Sequence, residues 1–316
     1  MNFADRVMLA AAHIAPHVWV TPSMRINPRA LGIESDCELW LKLEHLQVGG
    51  SFKARGMFNR MLSQRVPDAG VTIASGGNAG IATAYAAREL GHKAEIFLPE
   101  VSSQAKRDKL KALGATVRVQ GAVYGQALEA CIAHQRGTGA LMMHAYDQPE
   151  VVEGAGTLGR EICEQTKPDS ILVSVGGGGL IAGISSWVLS VSNSSTATDV
   201  IAVEPANAPT FHASLAAGEV VDVAVSGIAA DSLGASRLGN LAWQARGGIK
   251  QALLVTDLSI RHAQISLWNE LRLAVEPAAA VPLAALQSGA YTPRSRERIC
   301  LVICGANVDL SMLAHT

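Results

Sequence analysis

From about Ser51 onward the chain alternates short β-rich, often wholly apolar runs with longer stretches of helical length and composition, the rhythm of parallel strands joined by helical crossovers. Strands are predicted over Glu38–Glu44, Thr72–Ser75, Ala94–Pro99, Thr116–Gln120, Ser170–Val175, Asp199–Glu204, Gln251–Thr256 and Arg298–Cys304. Several are continuous apolar runs, as sheets covered on both faces require. Helices are predicted over Asn78–Leu90, Ser103–Leu113, Gly125–Gln135, Glu150–Gln165 and Ser259–Leu273, with Val7–Ala15 as an N-terminal surface helix. The class is α/β. The rhythm marks residues 56–147 as a small inserted unit, with 1–55 and 148–316 forming a larger sheet domain around it. The polar patch Ser190–Thr198 reads as an exposed loop.

At 316 residues the chain exceeds what one core usually holds. Hydrophobic residues make up 49% and charged residues 17%, which excludes a disordered chain. A formal net charge of −1, with no long run of one sign, excludes electrostatic recruitment to nucleic acid or an anionic membrane and leaves a small molecule as the expected partner. No apolar run approaches the ~18 residues of a membrane span. Cys37, Cys131, Cys163, Cys300 and Cys304 are irregularly spaced with no CxxC pair, which fits reduced thiols and a cytoplasmic location.

Four segments could carry chemistry. Gly176–Gly179 follows the apolar strand ILVSV and opens the helical segment LIAGISSWVL. Backbone N–H groups there could close on an anion at a helix N-terminus. Two readings compete: a tight turn, and a dinucleotide fingerprint built on Gly177-x-Gly179 with Glu204 ending the next strand. SFKARG, Ser51–Gly56, places Lys53 at a helix start, where the positive end of the dipole favours a neutral amine able to form a Schiff base; taken alone, such a lysine is more often a solvated surface residue. SGGNAG, Ser75–Gly80, also lies between strand and helix and could hold a carboxylate, or could be a capped helix start. Cys304, in ICGAN, reads by itself as a core thiol.

Taken together and in order, these segments resemble the fold-type-II pyridoxal-phosphate enzymes, especially the serine/threonine dehydratase group, over nearly the whole chain. SFKARG is similar to that family's Schiff-base lysine motif, SGGNAGIATAYAARELG to its substrate loop and helix, and SVGGGGLIAGI to its phosphate cup; VEPANA, LAVEPAAA and CGANVD match as well. The resemblance implies two open, twisted, mostly parallel sheets flanked by helices, as in the tryptophan synthase β subunit. It implies that Lys53 carries the pyridoxal phosphate, with Phe52 on one face of the ring and Ser232 on the other. Gly176, Gly177, Gly178, Gly179 and Leu180 would take the phosphate, Asn78 the ring hydroxyl, and Cys304 the pyridine nitrogen. Ser75, Gly76, Gly77, Asn78 and Ala79 would hold the substrate carboxylate. A monovalent cation such as K⁺ would sit at Glu204 with the carbonyls of Ala208, Leu233 and Ala235, where Thr210 replaces a carboxylate of divalent-binding members.

The implied reaction is β-elimination from L-serine, L-threonine or a related β-hydroxy amino acid, giving a 2-keto acid and ammonia, in a cytoplasmic homodimer. Racemases of the family carry a serine at the position of Gly76. Glycine has no proton to give there, so elimination without racemisation is expected, and the missing side chain should leave room for a larger β-substituent. The alternatives are a lyase or racemase acting on 3-hydroxyaspartate or an aryl-serine, a nicotinamide oxidoreductase, and a non-catalytic cofactor carrier. His45, His144 and His212 carry no assigned role.

Overall fold

The computed structural model of the protein describes residues 1–192 and 198–309. Its strands are β1 (Ser23–Ile26), β2 (Glu38–Lys42), β3 (Val71–Ala74), β4 (Ala94–Leu98), β5 (Thr116–Val119), β6 (Leu141–Met142), β7 (Ser170–Ser174), β8 (Asp199–Pro205), β9 (Gln251–Val255) and β10 (Arg298–Val302). The helices are α1 (Phe3–Ile14), α2 (Lys53–Ser63), α3 (Asn78–Glu89), α4 (Gln104–Ala112), α5 (Tyr124–Thr138), α6 (Pro149–Thr166), α7 (Gly179–Val191), α8 (Thr210–Ala217), α9 (Asn240–Gln244), α10 (Asp257–Leu271) and α11 (Pro277–Gln287).

Two sheets result. The larger runs β1-β2-β10-β7-β8-β9, parallel throughout except for the antiparallel β1–β2 pair, and the smaller runs β5-β4-β3-β6, all parallel. Every residue of β3 and β7 is buried, as strands covered on both faces must be. The chain leaves the larger sheet after β2, builds the smaller one, and returns at β7, with β10 closing the gap between β2 and β7. This order brings the C-terminal ends of β2, β7 and β10 together, and ligands favour such ends in open α/β sheets.

All the predicted strands are present, most of them shortened at their ends. Five elements lie outside the predicted set, the short β1, β6, α8 and α9 and the longer α11. β1 is four residues long, and α11, PAAAVPLAALQ, is buried on nearly every side with Pro282 inside it. A helix covered all round has no polar stripe to give a 3.6-residue period. Of the polar patch 190–198, residues 193–197 lie outside the described residues, while Ser190 belongs to α7. Among the described residues no helix is long and apolar enough to cross a membrane.

Candidate active site

Lys53 is the first residue of α2, and the strand end beside it fixes where it starts. Ser51 forms an antiparallel bridge with Gly305, and the Phe52 N–H donates to the Cys304 carbonyl at 3.1 Å. The Lys53 amine donates to the Ala145 carbonyl at 2.6 Å and stands 4.8 Å from the centre of the Phe52 ring. Burial lowers it to about 8, with Cys304 and Glu276 pulling the other way. A lysine lowered in this way is shifted toward the neutral amine that nucleophilic attack on an aldehyde requires.

Below the amine, Arg55 pins the first turn of α2. It is 1% exposed, gives two hydrogen bonds to Glu44 (2.7 and 2.8 Å) and two to Glu161 (2.7 and 2.9 Å), and reaches Thr157 at 3.2 Å. Lys42, also buried, donates to Glu161 at 2.7 Å and to the Thr21 carbonyl at 2.7 Å. Two cations and two carboxylates thus neutralise one another under the lysine.

The four glycines link β7 to α7, and the tight-turn reading explains more of them than a single turn would need. Gly178 has φ +85, in the left-handed region. A Cβ on Gly177 would collide with the Tyr146 ring, and one on Gly179 would lie 2.7 Å from the Tyr146 carbonyl oxygen. Glycine number alone therefore does not argue for phosphate. Position does: α7 starts with no side-chain cap, and its first residue, Gly179, lines the same cavity as Phe52, Lys53 and Ala145. Free N–H groups at a helix start suit a phosphate within reach of that lysine. Leu180, the next residue, is buried.

Asn78 begins α3, again without a side-chain cap, after the Ser75–Gly77 turn that leaves β3. The expected ring-hydroxyl donor has a protein partner already: its amide nitrogen lies 2.7 and 2.9 Å from the two Glu276 oxygens, while its oxygen accepts from Asn307 at 2.6 Å. Glu276 is buried, and burial raises its carboxyl to about 7 against the opposing pull of Asn78, Lys53 and Lys109. Cys304 is buried beside it; burial, reinforced by Glu276, keeps the thiol neutral. Ser232 accepts from the Ala278 N–H at 3.3 Å.

Gly76 corrects the sequence reading. A Cβ there would meet Leu98 Cδ2 at 2.9 Å, so Leu98 already occupies the space that the missing side chain was expected to leave for substrate. Ser75 and Gly77 stay half-buried on the turn, and Ala79 is buried in α3.

Glu204 is held by donors at the start of α8. Its oxygens accept from the Thr210 hydroxyl at 3.1 Å and from the Phe211 and His212 N–H groups at 2.8 Å each, so the carboxylate caps α8. The Thr210 hydroxyl lies 2.5 Å from the Gly176 carbonyl, and the Ala208 carbonyl accepts the Thr210 N–H at 3.2 Å. Leu233 packs against Gly176. Among the described residues there is no cluster of three His, Cys, Asp or Glu side chains fit for a metal.

The sequence reading passed over Glu276, Asn307, Lys109 and Tyr146, the residues that surround Asn78 and the glycine turn. The available signal was an acid embedded in the apolar run LAVEPAAA. His45, buried and lowered to about 4 by desolvation, is neutral. The His144 ring accepts from the Tyr146 and Asp147 N–H groups.

Residues 14–305 match the pyridoxal-phosphate dependent enzymes. The chain belongs to that family. Within it the chain falls in the fold-type-II serine/threonine dehydratase group, and the nicotinamide reading of the glycine turn is set aside. It is 36% identical over 281 residues to an L-threonine ammonia-lyase of Geobacter sulfurreducens, covering 87% of this chain and 69% of that one. It is 35% identical to a phenylserine dehydratase of Ralstonia pickettii, covering 87% and 84%. A maize serine racemase structure superposes with a TM-score of 0.90 at 30% identity, covering 99% of this chain and 96% of the other.

The raised Glu276 carboxyl predicts a pH effect in cofactor-free protein. A carboxyl near 7 when folded and near 4.5 when unfolded binds more protons folded, so its contribution is full below about 4.5 and is lost as pH rises through about 7. His45 runs the other way between about 4 and 6.5, so the variant must be compared with wild type. Between pH 5 and 8, Glu276→Gln should gain about 1–3 kcal/mol on wild type in urea unfolding; parallel pH profiles would refute the assignment.

Proposed function

We propose that the enzyme eliminates water from a small β-hydroxy amino acid of the L-serine or L-threonine type and releases a 2-keto acid and ammonia. The observation that carries this reading is that a lysine amine lowered to about 8, an uncapped helix start and Phe52 border one cavity, with the Phe52 N–H bonded to the carbonyl of Cys304, a buried and neutral thiol. Pyridoxal phosphate, held by Lys53 and the Gly176–Leu180 turn, supplies the electron sink that makes the substrate α-proton acidic.

The chain's own residues do the rest. Lys53, once freed by the incoming amine, takes the α-proton. The Ser75–Ala79 turn, at a helix start without a side-chain cap, binds the substrate carboxylate through its N–H groups. Phe52 and Ser232 would hold the ring between them, and Asn78, held by Glu276, would give its amide to the ring oxygen. Cys304, neutral and buried, would offer the pyridine nitrogen no charged partner, a setting that suits elimination of the β-hydroxyl. Gly76 places no proton donor on the opposite face of Cα, which separates this reading from a racemase. Residues 56–147 would act as the smaller domain over the cleft. In a cytoplasmic homodimer the second copy would cover the exposed Trp19, Val20 and Leu46, whose segments are joined by the Trp19–Gln47 hydrogen bonds.

The test is a panel of L-serine, L-threonine, 3-hydroxyaspartate and phenylserine given to holoenzyme, with ammonia, keto acid and D-serine measured together. Equal amounts of ammonia and keto acid from at least one substrate, with D-serine only a trace, are expected. No ammonia from any of them would end the proposal, and D-serine appearing as fast as pyruvate would favour the racemase.

A further inference from the structure

α4 has one buried side chain, Leu110, yet two of its lysines reach across to the larger-sheet segments that carry site residues. Lys106 stands 3.0 Å from Asp231, next to Ser232, and Lys109 donates to the Asn307 side-chain oxygen at 2.6 Å, three residues beyond Cys304. The second contact continues inward. Asn307 gives its amide nitrogen to the Asn78 oxygen at 2.6 Å and to the Gly49 carbonyl at 3.0 Å, and Asn78 gives its own nitrogen to Glu276.

The direction of this chain is fixed by its ends. A lysine ammonium only donates and the Gly49 carbonyl only accepts, whereas each asparagine amide could be turned either way about its last bond. With Lys109 in place, the oxygen of Asn307 must face it, the nitrogen of Asn307 must face Asn78, and the nitrogen of Asn78 must point toward Glu276. Without Lys109, only the Gly49 carbonyl still calls for the Asn307 nitrogen, so the turn of Asn307, and through it that of Asn78, keeps one constraint where it had two.

We propose that Lys109 is a positioning residue for the active site, orienting Asn78 through Asn307 from outside the cavity. The inference rests on the reading above that Asn78 faces the cofactor ring. It assigns a role to a helix that touches no reacting atom.

The test compares Lys109→Met, Lys109→Arg and Lys111→Met in the full chain; Lys111 is exposed on the same helix and serves as the control. Hydrogen–deuterium exchange over residues 75–82 is read in cofactor-free protein, and cofactor affinity, kcat and KM in the loaded enzyme. Lys109→Met should speed exchange at 75–82 and weaken cofactor binding by about three- to tenfold each, the range expected for one lost hydrogen bond. It should lower kcat with KM within about twofold, while Lys109→Arg, still a pure donor, restores most of each value. Exchange in Lys109→Met equal to that in Lys111→Met would overturn the proposal, as would a loss that arginine fails to rescue. If wild-type protein takes up no cofactor, the functional reading fails, and the exchange data still decide whether Lys109 orders the start of α3.

Discussion

Lys53→Ala should lose at least about a thousandfold in turnover, since it removes both the covalent tether and the base, and a positioned general base alone is worth about 10²–10⁴-fold. The fold should survive. Lys53 is half-buried at the first position of a helix, its recorded hydrogen bond is the one to Ala145, and alanine favours helix. One lost hydrogen bond costs about 1 kcal/mol, a shift of only a few degrees in Tm at this size. Borohydride reduction followed by mass spectrometry provides a readout apart from rate. Wild type should carry the reduced cofactor on the peptide containing Lys53, and the variant should carry none. An adduct elsewhere, or turnover within tenfold of wild type, would remove the lysine from the mechanism.

Arg55→Met should be the most destabilising single change near the site, by about 3–5 kcal/mol, because removing one member of a buried ion pair strands the other. Burial by itself raises the Glu44 carboxyl, and Arg55 more than reverses that, leaving it below the usual carboxylate range. Glu44 is 0% exposed and would retain only the Thr21 hydroxyl and the field of Lys42. Glu161, 15% exposed, would keep Lys42. Adding Glu44→Gln to Arg55→Met should recover part of the loss by removing the stranded charge, a non-additivity that a double-mutant cycle measures directly. Urea unfolding of the four proteins decides it: an Arg55→Met penalty below about 1 kcal/mol would mean that water or rearrangement satisfies the carboxylates and that the network does not anchor α2.

The strand runs were legible because a parallel strand buried on both faces must be apolar along its length, as in Ser170–Ser174. Lys53, the glycine turn, the SGGNAG loop and Cys304 were legible because each sits at a strand-to-helix junction with a composition that ordinary turns do not need. Their order along the chain then marked the family. α11 was hidden because a helix covered on every side has no period to read, and β1 because it is so short.

Contacts across the fold were beyond any local pattern. No spacing rule pairs Asn78 with Glu276, 198 positions away, or joins Lys109 to Asn307. That Glu204 caps α8 was equally out of reach, since a buried carboxylate takes whatever donors the fold brings to it. Gly76 was expected to open space that Leu98, from the neighbouring strand, fills. The sequence by itself determined which backbone turns and which amine are available for chemistry, because those follow from residue type and local geometry. Which acid faces Asn78, which arginine holds the lysine's helix and what fills the space beside a glycine were decided by tertiary structure, because burial and hydrogen-bond partnership exist only after distant segments pack.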